Sequence, residues 1–348
     1  MSEPLQDMVK RAHALEEEGQ LHAALDLWRK IVQVAPTAIM FCSLGSAARD
    51  LGELEEAEQN LRQAIQLDPT FWLPHLMLAT VLVHGARWDE AEASARLSNR
   101  LHESAAACCL LGVALDCLDR KQEARQSYLR GLEIDPEYEE IYANMGELVR
   151  DSNPVEAEEL FSKAIDLDPH YARVHREMGA LLLSIDFSPE IEYHLRRAIE
   201  IDPADMWAHV YLANYLWRVK EIPAAIIECE WAHYAQPESP LPLWYLGNLY
   251  QARQEWARAE SFYQRALAIA PDDFNTNKSM GRMFLNMGRI EQARVYLERT
   301  LLMNPDDRRA QELLERATPE YDGLPKRLVR RLQRHQNRWE RRRDPGKP

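Results

Sequence analysis

The most informative segment of this sequence is PLPLWYLGNLYQARQEWARAESFYQRALAIAPDD, residues 240–273. Its apolar residues recur every three or four positions, which predicts two helices rather than strands. Small residues such as Gly247 and Ala259 let two helices approach closely, so that a large neighbour such as Tyr263 fills the gap. Pro271 then marks the turn, because proline cannot continue a helix. The segment therefore predicts one pair of packed helices.

The same pattern recurs along almost the whole chain. Its prolines are spaced by 33 or 34 residues, with one interval of 67 that spans two periods. They are Pro36, Pro69, Pro136, Pro169, Pro203, Pro237, Pro271 and Pro305. A small residue keeps this spacing at Gly45, Ala79, Gly112, Gly146, Gly179, Ala213, Gly247 and Gly281. A fixed period of this length is typical of stacked helix pairs, whose extended surface suits binding rather than catalysis.

This pattern resembles the tetratricopeptide repeat, with Leu246-Gly247, Tyr250, Ala259, Tyr263, Ala266 and Pro271 all in register. The resemblance implies an all-α, right-handed superhelical solenoid of about nine helix-turn-helix repeats, followed by a capping helix and a basic helical tail. The repeats are assigned to residues 5–37, 38–71, 72–104, 105–138, 139–171, 172–205, 206–239, 240–273 and 274–307, and the cap to 308–317. All of them are expected to form one domain over residues 1–318, with residues 319–348 as the tail.

Three repeats depart from the pattern. Glu103 occupies the proline position of one repeat, and Ile191 occupies the alanine position of another. The loop at residues 151–154 is one residue short. We expect these departures to change local geometry and not the fold.

The formal net charge of −14 is unevenly distributed over the 348 residues. Residues 319–348 carry a net charge of +6, so residues 1–318 carry −20. An acidic array argues against general nucleic-acid binding, because phosphate contacts need a basic face. We therefore expect contact with nucleic acid only through the tail.

The sequence carries no recognisable catalytic motif. It has no glycine-rich phosphate loop and no pair of histidines at metal-binding helical spacing. We predict that the protein is not an enzyme and uses no cofactor or metal ion. The five cysteines are expected to stay reduced, no apolar run is long enough to span a membrane, and the N-terminal segment lacks a secretion signal. These features favour a cytoplasmic location.

Two groups of first-helix residues are candidates for binding, because first helices line the concave groove in the family that the pattern resembles. The apolar group is Leu73, Leu76, Met77, Ala106, Cys109, Leu110 and Val113. The mixed group is Asn144, Arg173, Arg176, Trp207, Tyr211, Asn214, Arg218, Trp244, Tyr245, Asn248, Asn275, Lys278 and Arg282. Amides bind a peptide backbone, aromatic rings supply contact area and cations pair with carboxylates.

The resemblance thus implies a non-catalytic scaffold or adaptor that binds an extended peptide or partner helix in its groove, chiefly through residues 139–307. The apolar group would suit a hydrophobic peptide or self-association. The alternative is that some of these side chains pack between helices, as aromatic residues usually do. Trp28, Trp88, Trp231 and Trp256 fall on second helices and are expected to be structural.

The tail has its own pattern over residues 324–342. Its apolar residues share one helical face, and basic residues occupy much of the rest. That face holds Leu324, Leu328, Leu332, His335 and Trp339. A basic amphipathic helix could lie on an acidic membrane, bind nucleic acid such as RNA, or dock on an acidic protein surface such as this protein's own body. Two alternative functions remain open: an RNA- or ribosome-associated adaptor acting through the tail, and a regulatory subunit of an enzyme complex.

Overall fold

The computed structural model describes residues 4–185 and 188–317, and within them every regular element is an α-helix. The helices are α1 (Leu5–Glu17), α2 (Leu21–Val34), α3 (Ala38–Asp50), α4 (Leu54–Leu67), α5 (Trp72–His84), α6 (Trp88–Leu101), α7 (Ala105–Cys117), α8 (Lys121–Ile134), α9 (Glu139–Val149), α10 (Pro154–Leu167), α11 (Ala172–Ile185), α12 (Glu190–Ile201), α13 (Met206–Arg218), α14 (Ile222–Ala235), α15 (Pro240–Ala252), α16 (Trp256–Ile269), α17 (Phe274–Asn286), α18 (Ile290–Met303) and α19 (Arg308–Ala317). Each odd-numbered helix from α1 to α17 is the first helix of a hairpin, and the next helix is its second helix. The predicted all-α fold of helix-turn-helix repeats is confirmed.

The chain forms two compact units, Met1–Val174 and His175–Pro348, which we call unit 1 and unit 2. Unit 1 contains the hairpins from α1 to α10, and unit 2 contains those from α13 to α18. Within each unit a hairpin packs on the next one along the chain, as α4 does on α5 and α14 on α15. This neighbour-to-neighbour packing is the mark of a repeat array. The assignment of residues 1–318 to one domain stays a prediction.

Glycines on the first helices allow each hairpin to close tightly. A Cβ atom at Gly112 would overlap the ring of Tyr128, and one at Gly146 would lie 2.5 Å from Cε1 of Phe161. Both rings are buried and occupy the space that a glycine leaves. The predicted filling of the gap by a large residue is confirmed at these sites.

Two recurring hydrogen bonds hold the turns between hairpins. The aspartate before the proline accepts a bond from the backbone N–H two residues later, as Asp68 does from Thr70 at 2.9 Å. The proline carbonyl accepts a bond from a side chain six residues later, in the next first helix. These pairs are Pro69–His75, Pro136–Tyr142, Pro203–His209, Pro271–Asn277 and Pro305–Gln311. The turn is thereby tied to the first helix that it introduces.

The second helices of unit 1 are linked by ion pairs. Arg29 on α2 binds Glu56 on α4 at 2.6 Å, and Arg125 on α8 binds Glu156 on α10 at 2.6 Å. Exposed pairs of this kind add little stability individually. They do give several glutamates of this acidic unit a cationic partner.

None of the described helices is long and apolar enough to cross a membrane. The predicted basic helix over residues 324–342 lies outside the described residues. Its docking on the body and its contact with RNA therefore stay predictions.

Candidate binding site

A cavity of about 390 Å³ opens on the first helices α5, α7 and α9 of unit 1. Leu76 and Val83 of α5 and Leu110 and Val113 of α7 form its apolar wall. Polar side chains of α9 line the other wall, joined by Arg173 from the start of α11. An apolar cleft of this size with a few polar groups is the usual form of a ligand site.

The cavity lies where an apolar first helix is followed by a polar one. Six residues of α7 line it, and for three of them the residue 34 positions later in α9 lines it as well. The pairs are Ala106–Glu140, Leu110–Asn144 and Val113–Glu147. Equivalent positions of successive repeats lie side by side, so this change of residue type makes the cavity apolar on one side and acidic on the other.

Hydrogen bonds hold the two predicted site residues of this cavity. The Asn144 amide donates to Sγ of Cys109 at 3.2 Å. Nη2 of Arg173 donates to Oδ1 of Asn144 at 2.8 Å and to the Tyr171 hydroxyl at 2.9 Å. Nη1 of Arg173 lies 3.5 Å from a carboxylate oxygen of Glu147. Asn144 and Arg173 thus line the cavity and are already oriented by the fold.

Burial raises the pKa of several groups around this cavity. It raises the pKa of Tyr171 to about 12, and it raises the pKa of the Cys109 thiol well above the usual range. Burial also raises the pKa of Asp116. Within the described residues, the carboxylates of Asp116 and Glu140 form no hydrogen bond or close ion pair, although Asp116 interacts electrostatically with Lys121 and Glu140 with Arg173.

The apolar group predicted from the sequence divides between two cavities. Leu76, Ala106, Cys109, Leu110 and Val113 line the first cavity. The remaining two, Leu73 and Met77, line a second cavity of about 270 Å³ beside α3. The predicted apolar residues therefore do line cavities, but the prediction treated residues of two separate cavities as one group.

In unit 2 the predicted residues form a hydrogen-bonded network across α13, α15 and α17. Asn214 donates to the Tyr245 hydroxyl at 3.3 Å. The Trp244 indole donates to Oγ of Ser279 at 2.9 Å, and the Asn248 amide donates to the Trp244 carbonyl at 3.0 Å. Three successive first helices are thereby connected through their side chains.

The members of this network differ in accessibility. Asn248 is only 3% exposed, and its oxygen accepts from the Tyr263 hydroxyl at 3.0 Å and from Arg282 at 3.3 Å. Its donor and acceptor are therefore both used within the fold. Trp207 is 44% exposed and lies 5.9 Å from the Tyr211 ring, centre to centre. This aromatic pair is the more accessible part of the predicted site.

Two predicted cations each link one odd-numbered helix to the start of the next. Arg176 pairs with Asp205 at 2.9 Å, and Lys278 pairs with Asp307 at 2.8 Å. Each aspartate also caps the helix that follows it, Asp205 by accepting from the Trp207 N–H at 3.0 Å. The spacing of 29 residues between cation and aspartate is the sequence signal for this contact.

The other predicted residues of unit 2 lie at its surface. Arg218 donates to the Leu183 carbonyl at 2.9 Å, and Asn275 is exposed. The role of all these residues as ligands stays a prediction. Within residues 4–185 and 188–317, no group of three or more His, Cys, Asp or Glu is placed to hold a metal ion.

An apolar stripe on α14 was not anticipated from the sequence. Ile227 and Trp231 are each 53% exposed, and Tyr234 is 78% exposed. The expectation that Trp231 is structural stays a prediction, although its side chain is about half exposed. Spacings of four and three residues place the three side chains on one face, opposite the buried Ala225 and Cys229. This spacing of apolar residues was the sequence feature from which the stripe could have been predicted.

Comparison with known families gives matches in four places, all described as tetratricopeptide repeat. They cover residues 9–70, 48–100, 105–138 and 246–318, which together are more than half of the chain. No curated protein matches the sequence.

Several solved structures are similar in fold. A chain of the APC/C hetero-tetramer Cut9–Hcn1 matches with a TM-score of 0.65 at 14% identity, covering 86% of this chain and 60% of that one. The human IFIT1 dimer with PPP-AAAA matches with a TM-score of 0.62 at 16% identity, covering 89% and 81%. Yeast Tom70 matches with a TM-score of 0.51 at 11% identity, covering 96% and 84%. This chain thus spans less than two thirds of the first of these relatives.

Proposed function

Because the chain belongs to the tetratricopeptide repeat family, whose members bind other proteins or peptides, we propose that it is a non-catalytic scaffold with a specific groove. The groove is the face of the first helices, and its ligand is an extended peptide or a helix of a partner protein. The coarser role, a protein-interaction scaffold, is supported by the fold and the family.

The cavity of unit 1 is the observation that carries this proposal. Residues of three successive first helices line its volume of about 390 Å³. Leu110 and Val113 there are only partly buried, although both are apolar. Apolar side chains at the base of a cleft gain most from a ligand that excludes water. We therefore place the main binding region on the first helices of unit 1, whereas the sequence analysis placed it chiefly in residues 139–307.

The network of unit 2 supports a second contact region. Trp207 and Tyr211 are accessible and adjacent, and aromatic side chains of this kind often dominate binding energy. The buried members of the network, above all Asn248, would then orient the surface rather than touch the ligand.

The proposal places the protein in the cytoplasm. All five cysteines are free thiols, which fits a reducing compartment. Self-association through the apolar groove, an RNA or ribosome contact through residues 319–348, and a regulatory role in an enzyme complex remain hypotheses.

Binding of a selected peptide by a Leu110→Glu variant tests the groove. A peptide would be selected on the full chain from a random display library, and its affinity measured by fluorescence anisotropy. A buried carboxylate in the apolar wall should cost at least about 2 kcal/mol of binding free energy, the scale of a hot-spot residue. The helix signal in circular dichroism should not change.

The matched control is Leu129→Glu, which adds the same charge to a leucine of α8 that is 46% exposed and does not line the cavity. It should bind the peptide normally. Equal binding by the wild-type chain and a folded Leu110→Glu variant would remove the cavity from the proposal.

A further inference from the structure

We propose that the ligand of the unit 1 cavity carries a lysine or arginine next to apolar side chains. This inference rests on the proposed function and adds the chemistry of the partner. The cation would lie against α9 and the C-terminal end of α7, and the apolar side chains against α5 and the middle of α7.

The charges around the cavity are unbalanced. Asp116, Glu140 and Glu147 contribute three carboxylates to the lining, and Arg173 is its one arginine or lysine. Arg173 lies 3.5 Å from Glu147 and gives its Nη2 hydrogen bonds to Asn144 and Tyr171. Arg173 also interacts electrostatically with Glu140, and Lys121 of α8 with Asp116, but neither pair is in ion-pair contact. The lining itself keeps more carboxylates than cations.

The two remaining carboxylates differ from most acidic groups around them. Glu56, Glu92 and Glu156 of unit 1 each bind an arginine at 2.6 to 2.8 Å. Asp116 and Glu140 are partly buried and have no such partner in the described part of the chain. A partly buried carboxylate loses some of its hydration, and a cation that enters the cavity would offset this loss.

The apolar wall narrows the choice of cation. Lysine and arginine carry their charge on an aliphatic stem that covers apolar surface while the charged end reaches a polar group. Leu110 and Val113 of α7 face the stem, and Glu140 and Glu147 of α9, one repeat later, face the charge. An acidic or phosphorylated segment would meet repulsion from the same carboxylates.

Peptide selection on the full chain provides the first test. A random display library should yield sequences in which lysine or arginine is enriched beside apolar residues. One selected peptide is then synthesised together with a twin that carries norleucine in place of the cation. Norleucine keeps the aliphatic stem and removes the charge.

Affinities of both peptides for two protein variants provide the second test. Glu140→Gln and Asp116→Asn should each weaken the cationic peptide by roughly tenfold, the scale of a charge-assisted contact. The same substitutions should leave the norleucine twin unchanged. Raising the salt concentration should weaken the cationic peptide more than the twin.

Glu139→Gln is the matched control, since Glu139 is the adjacent residue in the first turn of α9 and does not line the cavity. It should bind both peptides normally. Neutral or acidic selected peptides, or a twin that binds as tightly as its parent, would overturn this inference alone, provided that Leu110→Glu still weakens binding. Selected peptides that bind a folded Leu110→Glu variant normally would remove the cavity from the proposed function, and this inference with it.

Discussion

The two helices of each hairpin pack closely because residues of complementary size face each other. Gly112 is followed 16 positions later by the large Tyr128, whose ring would overlap a Cβ at the glycine. Ala213, the equivalent residue of a later repeat, is followed 16 positions later by the small Cys229, and both are buried. A glycine goes with a large partner and an alanine with a small one, so the gap stays filled in either case.

Gly112→Ala should lower the free energy of unfolding by about 1–3 kcal/mol, because the added methyl overpacks the contact. The double variant Gly112→Ala/Tyr128→Cys copies the pair Ala213 and Cys229. Urea denaturation of the double variant and of both single variants should show a smaller loss than the sum of the single losses. Strict additivity would contradict this account of the pairing.

At the scale of the helical hairpin, equivalent positions of two hairpins in unit 2 hold different side-chain pairs. One pair is two histidines, and the other is a histidine and a glutamate. Nδ1 of His175 on α11 lies 3.0 Å from Nδ1 of His194 on α12, and Nδ1 of His209 on α13 lies 2.7 Å from Glu228 on α14. Burial, together with the nearby His175, lowers the pKa of His194 to about 4. Burial also lowers the pKa of His209, but the hydrogen bond to Glu228 outweighs burial, so the pKa of His209 is raised overall.

His194→Glu should make the protein less sensitive to acid. The folded-state pKa of His194 lies below the ordinary value of 6.5, so its contribution is complete above pH 6.5 and is lost as the pH falls toward 4. A glutamate there copies the pair of His209 and Glu228. The fall in Tm between about pH 7 and about pH 5, followed by circular dichroism, should become smaller.

The reverse change Glu228→His should increase that fall in Tm. His209 has a raised folded-state pKa, so its contribution is present below pH 6.5 and is lost as the pH rises through that higher pKa. A second histidine in place of the carboxylate would remove the contribution. Identical pH profiles for the wild-type chain and both variants would contradict this assignment of roles.

At the scale of the whole molecule, packing within each unit passes from one hairpin to the next. The capping helix α19 packs on α17 and α18, and its Ala310 and Leu314 are fully buried. In such an array a local defect destabilises nearby elements before distant ones. The effect of a core substitution should therefore depend on where it lies along the chain.

Leu314→Ala should destabilise the C-terminal hairpin locally by about 2–4 kcal/mol, the usual cost of this truncation in a core. Hydrogen exchange measured by mass spectrometry should rise in α17 to α19 and stay unchanged in α1 to α4. The control Leu61→Ala, at a fully buried position of α4, should show the opposite distribution. A uniform rise for both variants would indicate one cooperative structure.

Much of the candidate site was accessible from the sequence. The period identified the first helices, and five of the seven predicted apolar residues line one cavity together with Asn144 and Arg173. The acidic wall at Glu140 and Glu147 could have been found by comparing positions 34 residues apart. The accessibility of each side chain could not be predicted from the sequence, as the buried Asn248 and the exposed Trp231 illustrate.

The sequence by itself determined the helices, their pairing and their turns, because each depends on residues within about one repeat of each other. Only the tertiary structure decided which polar groups remain available. Arg176 and Asp205, or Asn144 and Arg173, are 29 residues apart and meet only after two hairpins have stacked. Whether a donor is used by the fold or left for a ligand depends on such contacts, and local sequence patterns do not contain them.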